Sequence, residues 1–232
     1  MSGGSQAADR GDGLLECVEL QTHPSPGLSI VWLHGLGADG YDFVPIVREL
    51  QTLGAPPARY VFPHAPERPV TVNGGFRMRA WYDVLGTRID QREDDAGIRQ
   101  SQAQVQALIE REAAHGVARS RIVLAGFSQG GAIALQTGLR QNQKLGALVV
   151  LSAYLPLADS AAAESSAAGR STPIFMAHGT QDGMIPIQVG RTSSQALAAL
   201  GCSVQWHEYA MAHSVCEDEL RDLARFLSEA LK

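Results

Sequence analysis

The chain reads as a succession of short apolar runs, each followed by a stretch in which apolar residues recur every three or four positions. Residues 28–33 form one such run, after which Phe43, Ile46, Val47 and Leu50 mark one face of an amphipathic helix. The change of period repeats at Ile122, Val123 and Leu124, a stretch suited to a central strand covered on both faces, with Ala132, Leu135 and Leu139 following at helical spacing. Residues 15–20 alternate as a half-exposed strand, and residues 59–62 form another short strand. Residues 95–115 predict a helix with Ile98, Val105, Leu108 and Ile109 on one face. Apolar runs at 146–152, 173–177 and 203–209 complete the strands, and Leu220, Leu223, Ala224, Leu227 and Leu231 mark a last helix. Strands alternating with helices predict an α/β architecture, a mostly parallel central sheet with helices on both faces.

Three segments break the rhythm. Residues 63–94 carry prolines and an Asn73-Gly-Gly75 turn, and read as a long irregular loop of the kind that often holds function. The alanine- and serine-rich residues 159–171 read as a surface excursion rather than a domain linker. Residues 1–13 show no periodicity and are expected to form an unstructured tail, with one domain spanning residues 14–232.

Composition narrows what this architecture does. With 232 residues, 45% of them hydrophobic and 19% charged, the chain supports one large core and shows no compositional break between two domains. A net charge of -5, with arginines 77, 79, 88, 92 and 99 interleaved with acids, argues against nucleic acid as a partner. No apolar run approaches the roughly 20 residues that span a bilayer, and no basic then apolar leader opens the chain, so a cytoplasmic protein without an integral membrane segment is expected. Cys17, Cys202 and Cys216 are odd in number and widely spaced, which predicts reduced, mostly buried thiols. The histidines show no H-E-x-x-H or comparable spacing, so neither a metal nor a cofactor is expected.

The polar clusters fall after the strands, where open parallel sheets carry their sites. Gly126-x-Ser128-x-Gly130, between a predicted strand and helix, has the spacing of a nucleophile elbow, a sharp turn with no room for side chains on either side of the serine. Asp182 follows the strand at 173–177, and His213 follows the strand at 203–209. The chain order Ser128, Asp182, His213 is that of α/β-hydrolases. Other residues compete for each role. Of the 7 histidines, His207 lies inside a strand and His178 is better suited to ordering its loop. Asp182, before Gly183-Met-Ile-Pro186, also reads as a capping carboxylate, while Glu208 and Asp218 are weaker acids for the site.

The set Leu33-His-Gly-Leu-Gly-Ala-Asp-Gly40, Asn73-Gly-Gly75, Arg79-Ala-Trp-Tyr-Asp83, Gly126-Phe-Ser-Gln-Gly-Gly131, His178-Gly-Thr-Gln-Asp182 and Met211-Ala-His213 closely resembles the acyl-protein thioesterase and small carboxylesterase family of α/β-hydrolases. The likeness runs from about residue 28 to the last, with Ala210 and Ala212 standing where some members carry proline or glycine. It implies an α/β-hydrolase fold without a large lid domain, and a triad of Ser128, Asp182 and His213. It also implies an oxyanion hole from the backbone amides of Leu36 and Gln129, with Trp81, Gly35, Gly37 and Ile185 at the substrate. The expected substrate is a small-molecule ester of short to medium acyl chain or an acylated substrate. Protein thioesterase or lysophospholipase-like action on longer chains is the alternative, and a non-catalytic binding protein the remote one. Val70, Val72, Phe76 and Met78 either line an acyl groove or simply pack, and exposed apolar loop residues point to a weak homodimer.

Overall fold

The computed structural model describes residues 14–86 and 93–232. The tail expected over residues 1–13, and Arg88 and Arg92 of the long loop, lie outside these. The apolar runs become strands β1 (Cys17–Gln21), β2 (Ser29–Leu33), β3 (Arg59–Pro63), β6 (Ile122–Phe127), β7 (Ala147–Leu151), β8 (Ile174–Gly179) and β9 (Val204–Tyr209). They form one sheet in the order β1-β3-β2-β6-β7-β8-β9, in which only β1 runs antiparallel to its neighbour.

Period-two alternation sends the side chains of each central strand into two different cores. Val31, Leu33, Ile122 and Leu124 face a core shared with α2 (Asp95–Ala114), α3 (Gln129–Leu139) and α6 (Ile187–Ala199). Ile30, Trp32, Val123 and Ala125 face the opposite core, closed by α1 (Ile46–Thr52) and α7 (Glu217–Ala230). Because both faces are covered, β2, β7 and nearly all of β6 are buried from end to end, which is why their sequences run apolar apart from Ser29, whose hydroxyl donates to Glu112. This is an α/β-hydrolase fold, and no large separate lid domain stands over the sheet among the described residues. None of the described helices is long and apolar enough to cross a membrane.

Three expectations change. The segment read as irregular contains a hairpin, β4 (Glu67–Val70) paired antiparallel with β5 (Phe76–Arg79) around a turn in which Gly74 and Gly75 both take positive φ. Residues 159–171 are no simple excursion. They form α4 (Ala158–Glu164) and α5 (Ala167–Arg170), and α5 docks against the end of α3 so closely that a Cβ at Gly169 would fall on the Leu139 carbonyl. All three cysteines are free, but only Cys202 is buried; Cys17 and Cys216 are partly exposed.

Candidate active site

Ser128 stands where β6 turns into α3, with φ 54° and ψ -122°, a conformation that a residue bearing a side chain rarely adopts. Its N–H donates to Leu151 O at 2.8 Å, which ties the turn to the end of β7. The glycines on either side allow the backbones to touch. A Cβ at Gly126 would lie 2.6 Å from Gly131 N, and one at Gly130 would fall on the carbonyls of Leu33 and His34. The helix therefore starts directly against the loop that follows β2.

The loops after β8 and β9 are knitted together. Thr180 N–H donates to Tyr209 O at 2.8 Å and Gln181 N–H to Met211 O at 3.0 Å, which sets the path of the histidine loop beside Asp182. The Asp182 carboxylate is fully occupied: Oδ1 accepts from the N–H groups of Met184 (2.9 Å) and Ile185 (2.8 Å). Oδ2 lies 2.6 Å from His213 Nδ1 and 3.3 Å from His178 Nε2. His178 Nε2 also lies 2.8 Å from Ile185 O, and since both neighbours are acceptors this nitrogen carries the proton. Burial lowers the pKa of His178, favouring the neutral ring. His178 thus steadies Asp182 from behind, while His213, its ring tilted against that of Phe127 with centroids 4.8 Å apart, faces the cavity.

A cavity of about 570 Å³ opens here, lined by Gly35, Leu36, Ser128, Gln129, Ile185 and His213, and walled further by Val72, Met78, Val84 and Leu85. Ser128 and His213 both line it, though no hydrogen bond joins them among the described residues. Gln129 N–H and Leu36 N–H likewise find no acceptor among the described residues, so both are available to an incoming oxygen. Of the apolar loop residues, Val72 and Met78 line the cavity, Val70 is buried in packing, and Phe76 points outward at 76% exposure.

Two expected substrate contacts are corrected. Trp81 is wholly buried and does not line the cavity; its neighbour Tyr82 does. Gly37 is also absent from the lining, and its role is to turn the loop, with φ 77° and its N–H bonded to Arg79 O at 2.9 Å. Residues that sequence reasoning missed include Tyr82 and Tyr154, whose hydroxyls meet at 2.8 Å on the cavity wall, and Glu93, both of whose oxygens accept from Leu157 N–H. Burial raises the pKa of both phenols, which keeps them neutral. Tyr82 lay within a quoted motif; Tyr154 and Glu93 carried no signal of spacing. Among the described residues, no group of three or more His, Cys, Asp or Glu is placed to hold a metal ion.

Comparison with known proteins places this geometry in context. The family model for phospholipase/carboxylesterase proteins matches residues 18–231. Acyl-protein thioesterase 1 of Gibberella zeae is 37% identical over 214 residues, covering 88% of this chain and 90% of the relative. Among solved structures, Arabidopsis thaliana SOBER1 aligns with a TM-score of 0.83 at 31% identity, over 88% of this chain and 99% of that one. Esterase PE8 aligns with a TM-score of 0.80 at 25% identity, over 94% and 100% of the two chains.

Proposed function

The chain belongs to the phospholipase/carboxylesterase family of hydrolases, and from that premise we propose a serine esterase that cleaves carboxylic esters of short to medium acyl chain through Ser128, His213 and Asp182. The observation that carries this reading is the 2.6 Å contact between Asp182 and a His213 that opens onto the same cavity as a strained, glycine-flanked Ser128. A serine hydroxyl is a weak nucleophile, so His213 takes its proton as Oγ attacks the ester carbonyl, while Asp182 keeps the imidazole in the correct tautomer. The carbonyl oxygen becomes an oxyanion between the Leu36 and Gln129 amides, and each such donor contributes on the order of 3 kcal/mol to the barrier reduction. His213 then passes the proton to the leaving group. The acyl-enzyme is hydrolysed by the same steps with water as nucleophile.

One observation favours a second reading, thioester or long-chain hydrolysis. The cavity wall away from Ser128 is largely apolar, with Val72, Met78, Val84 and Leu85, and its volume of about 570 Å³ exceeds what a two- or four-carbon acyl group fills. The Gibberella zeae relative is itself named a thioesterase. Labelling with a fluorophosphonate tests the common core: wild type should acquire one adduct and Ser128→Ala none, and an unlabelled folded wild type overturns the enzyme reading. A chain-length series of esters beside matched thioesters then separates the two substrates. A kcat/KM maximum at short or medium esters supports the first reading; a maximum at long-chain thioesters transfers it to the second.

A further inference from the structure

Trp81 stands in a motif that the reaction does not use. It touches no part of the cavity, yet it makes hydrogen bonds to both sides of the oxyanion hole. Its indole N–H donates to His34 O at 2.9 Å, in the loop that carries Leu36. Its backbone N–H donates to the side-chain oxygen of Gln129 at 2.8 Å, the residue whose own amide forms the other half of the hole. The side-chain nitrogen of Gln129 returns a bond to Tyr82 O at 2.7 Å, and the Ser101 hydroxyl anchors Trp81 O to α2. We propose that Trp81, the Gln129 side chain and the His34 ring form a buried brace that aims the two oxyanion donors, making all three positioning residues for the reaction. The inference rests on the serine-hydrolase reading above.

The planarity of the peptide unit carries the argument. Leu36 N–H shares its unit with Gly35 C=O, and in a trans unit these two point in opposite directions, so whatever holds the carbonyl also aims the amide. His34 holds that carbonyl. Its Nδ1 lies 2.7 Å from Gly35 O, and its Nε2 accepts from Ala65 N–H at 3.0 Å. The two bonds together require the neutral ring protonated at Nδ1. Burial agrees with this, lowering the pKa of His34 to about 4. The preceding carbonyl, His34 O, is held by the Trp81 indole, so two successive units of the loop are fixed by groups that never meet substrate. On the other side, Ser128 O accepts from Ala132 N–H at 3.1 Å, which points Gln129 N–H out of the helix start toward the cavity. The glycine contact at Gly130 sets how far apart the two sides lie. The bonds from His34 and within the helix start set how each is turned, and those through Trp81 hold the two sides in register.

A brace of this kind acts on the transition state alone, because only there does the oxygen carry charge. Gln129→Met keeps the backbone amide and nearly the same volume but removes both side-chain bonds; Trp81→Phe removes the indole donor. For each, kcat on a preferred ester should fall about 10- to 100-fold with KM within about twofold, the scale of a misplaced rather than deleted donor. Affinity for a trifluoromethyl ketone, which forms a tetrahedral oxyanion on the serine, should fall by the same factor. Circular dichroism and thermal melting establish which variants are folded at the assay temperature, and Gln129→Met keeps the test alive if Trp81→Phe does not fold. Folded variants with unchanged kcat and ketone affinity overturn the brace. So does a raised KM at unchanged kcat, since that marks a substrate contact. Turnover and ketone binding that persist in Ser128→Ala instead remove the serine-hydrolase reading, and the brace with it.

Discussion

Asp182 divides its work between its two oxygens. Oδ1 closes the turn that leads into α6 by accepting two backbone N–H groups, whereas Oδ2 receives the two imidazoles. The capping contacts and the contact with His213 that a triad requires, which looked like alternatives in the sequence, are both made by one carboxylate. Asp182→Asn puts an N–H where an acceptor is needed, whichever way the amide turns. It clashes with the turn or forces His213 into the wrong tautomer. Turnover of the preferred ester should fall about 10⁴-fold with the fold intact, the loss expected when a Ser-His-Asp triad is left with the wrong histidine tautomer. Steady-state kinetics beside a melting curve check this, and a loss of only a few-fold would move the acid elsewhere.

At the scale of elements, the junction of β6 and α3 depends on backbone contact with the loop after β2. Gly130→Ala drives a methyl group into the Leu33 and His34 carbonyls, and neither the strand nor the helix can retreat without breaking its own hydrogen bonds. The substitution should cost about 1–3 kcal/mol by overpacking and lower kcat, both measurable by urea unfolding and kinetics. This junction was legible in the sequence because its constraints are local: a β-branched run, a serine between glycines and a helical repeat lie within one short stretch. Asp182 and His213 were legible by their position after strands. The β4–β5 hairpin was not. Its strands, with Arg68, Pro69, Arg77 and Arg79, bury few side chains, so no alternation of apolar and polar positions marks them. Trp81 was misread for a related reason. An aromatic side chain in a loop can face a cleft or a core, and which one depended on the carbonyl of His34 and the amide of Gln129, more than forty residues away in each direction.

Across the whole molecule, two buried groups give stability opposite dependences on pH. Burial raises the carboxyl of Glu219, on α7, from 4.5 to about 8, so between these values the folded chain holds a proton that the unfolded chain has lost, and stability falls as pH rises. His34 is lowered from 6.5 to about 4, so between those values the unfolded chain binds the extra proton and stability rises with pH. The two effects oppose one another between pH 4.5 and 6.5, and Glu219 acts alone from 6.5 to 8. In that upper window wild type should lose up to about 1.4 kcal/mol per pH unit, while Glu219→Gln, a neutral isostere, should lose little. Urea unfolding across a pH series measures the difference, and parallel curves for the two proteins would contradict it.

The knitting of the loops after β8 and β9 has a further consequence in time. Asp182 and His213 meet only once β9 has joined the edge of the sheet at β8, since the bonds that fix the histidine loop run from residues 180 and 181 to residues 209 and 211. A refolding chain can therefore align its inner strands, bury Trp32 and Trp81 and present a finished elbow while remaining catalytically silent. Recovery of activity thus reports the pairing of β9 with β8, a readout separate from the fluorescence of Trp32 and Trp81 in the interior.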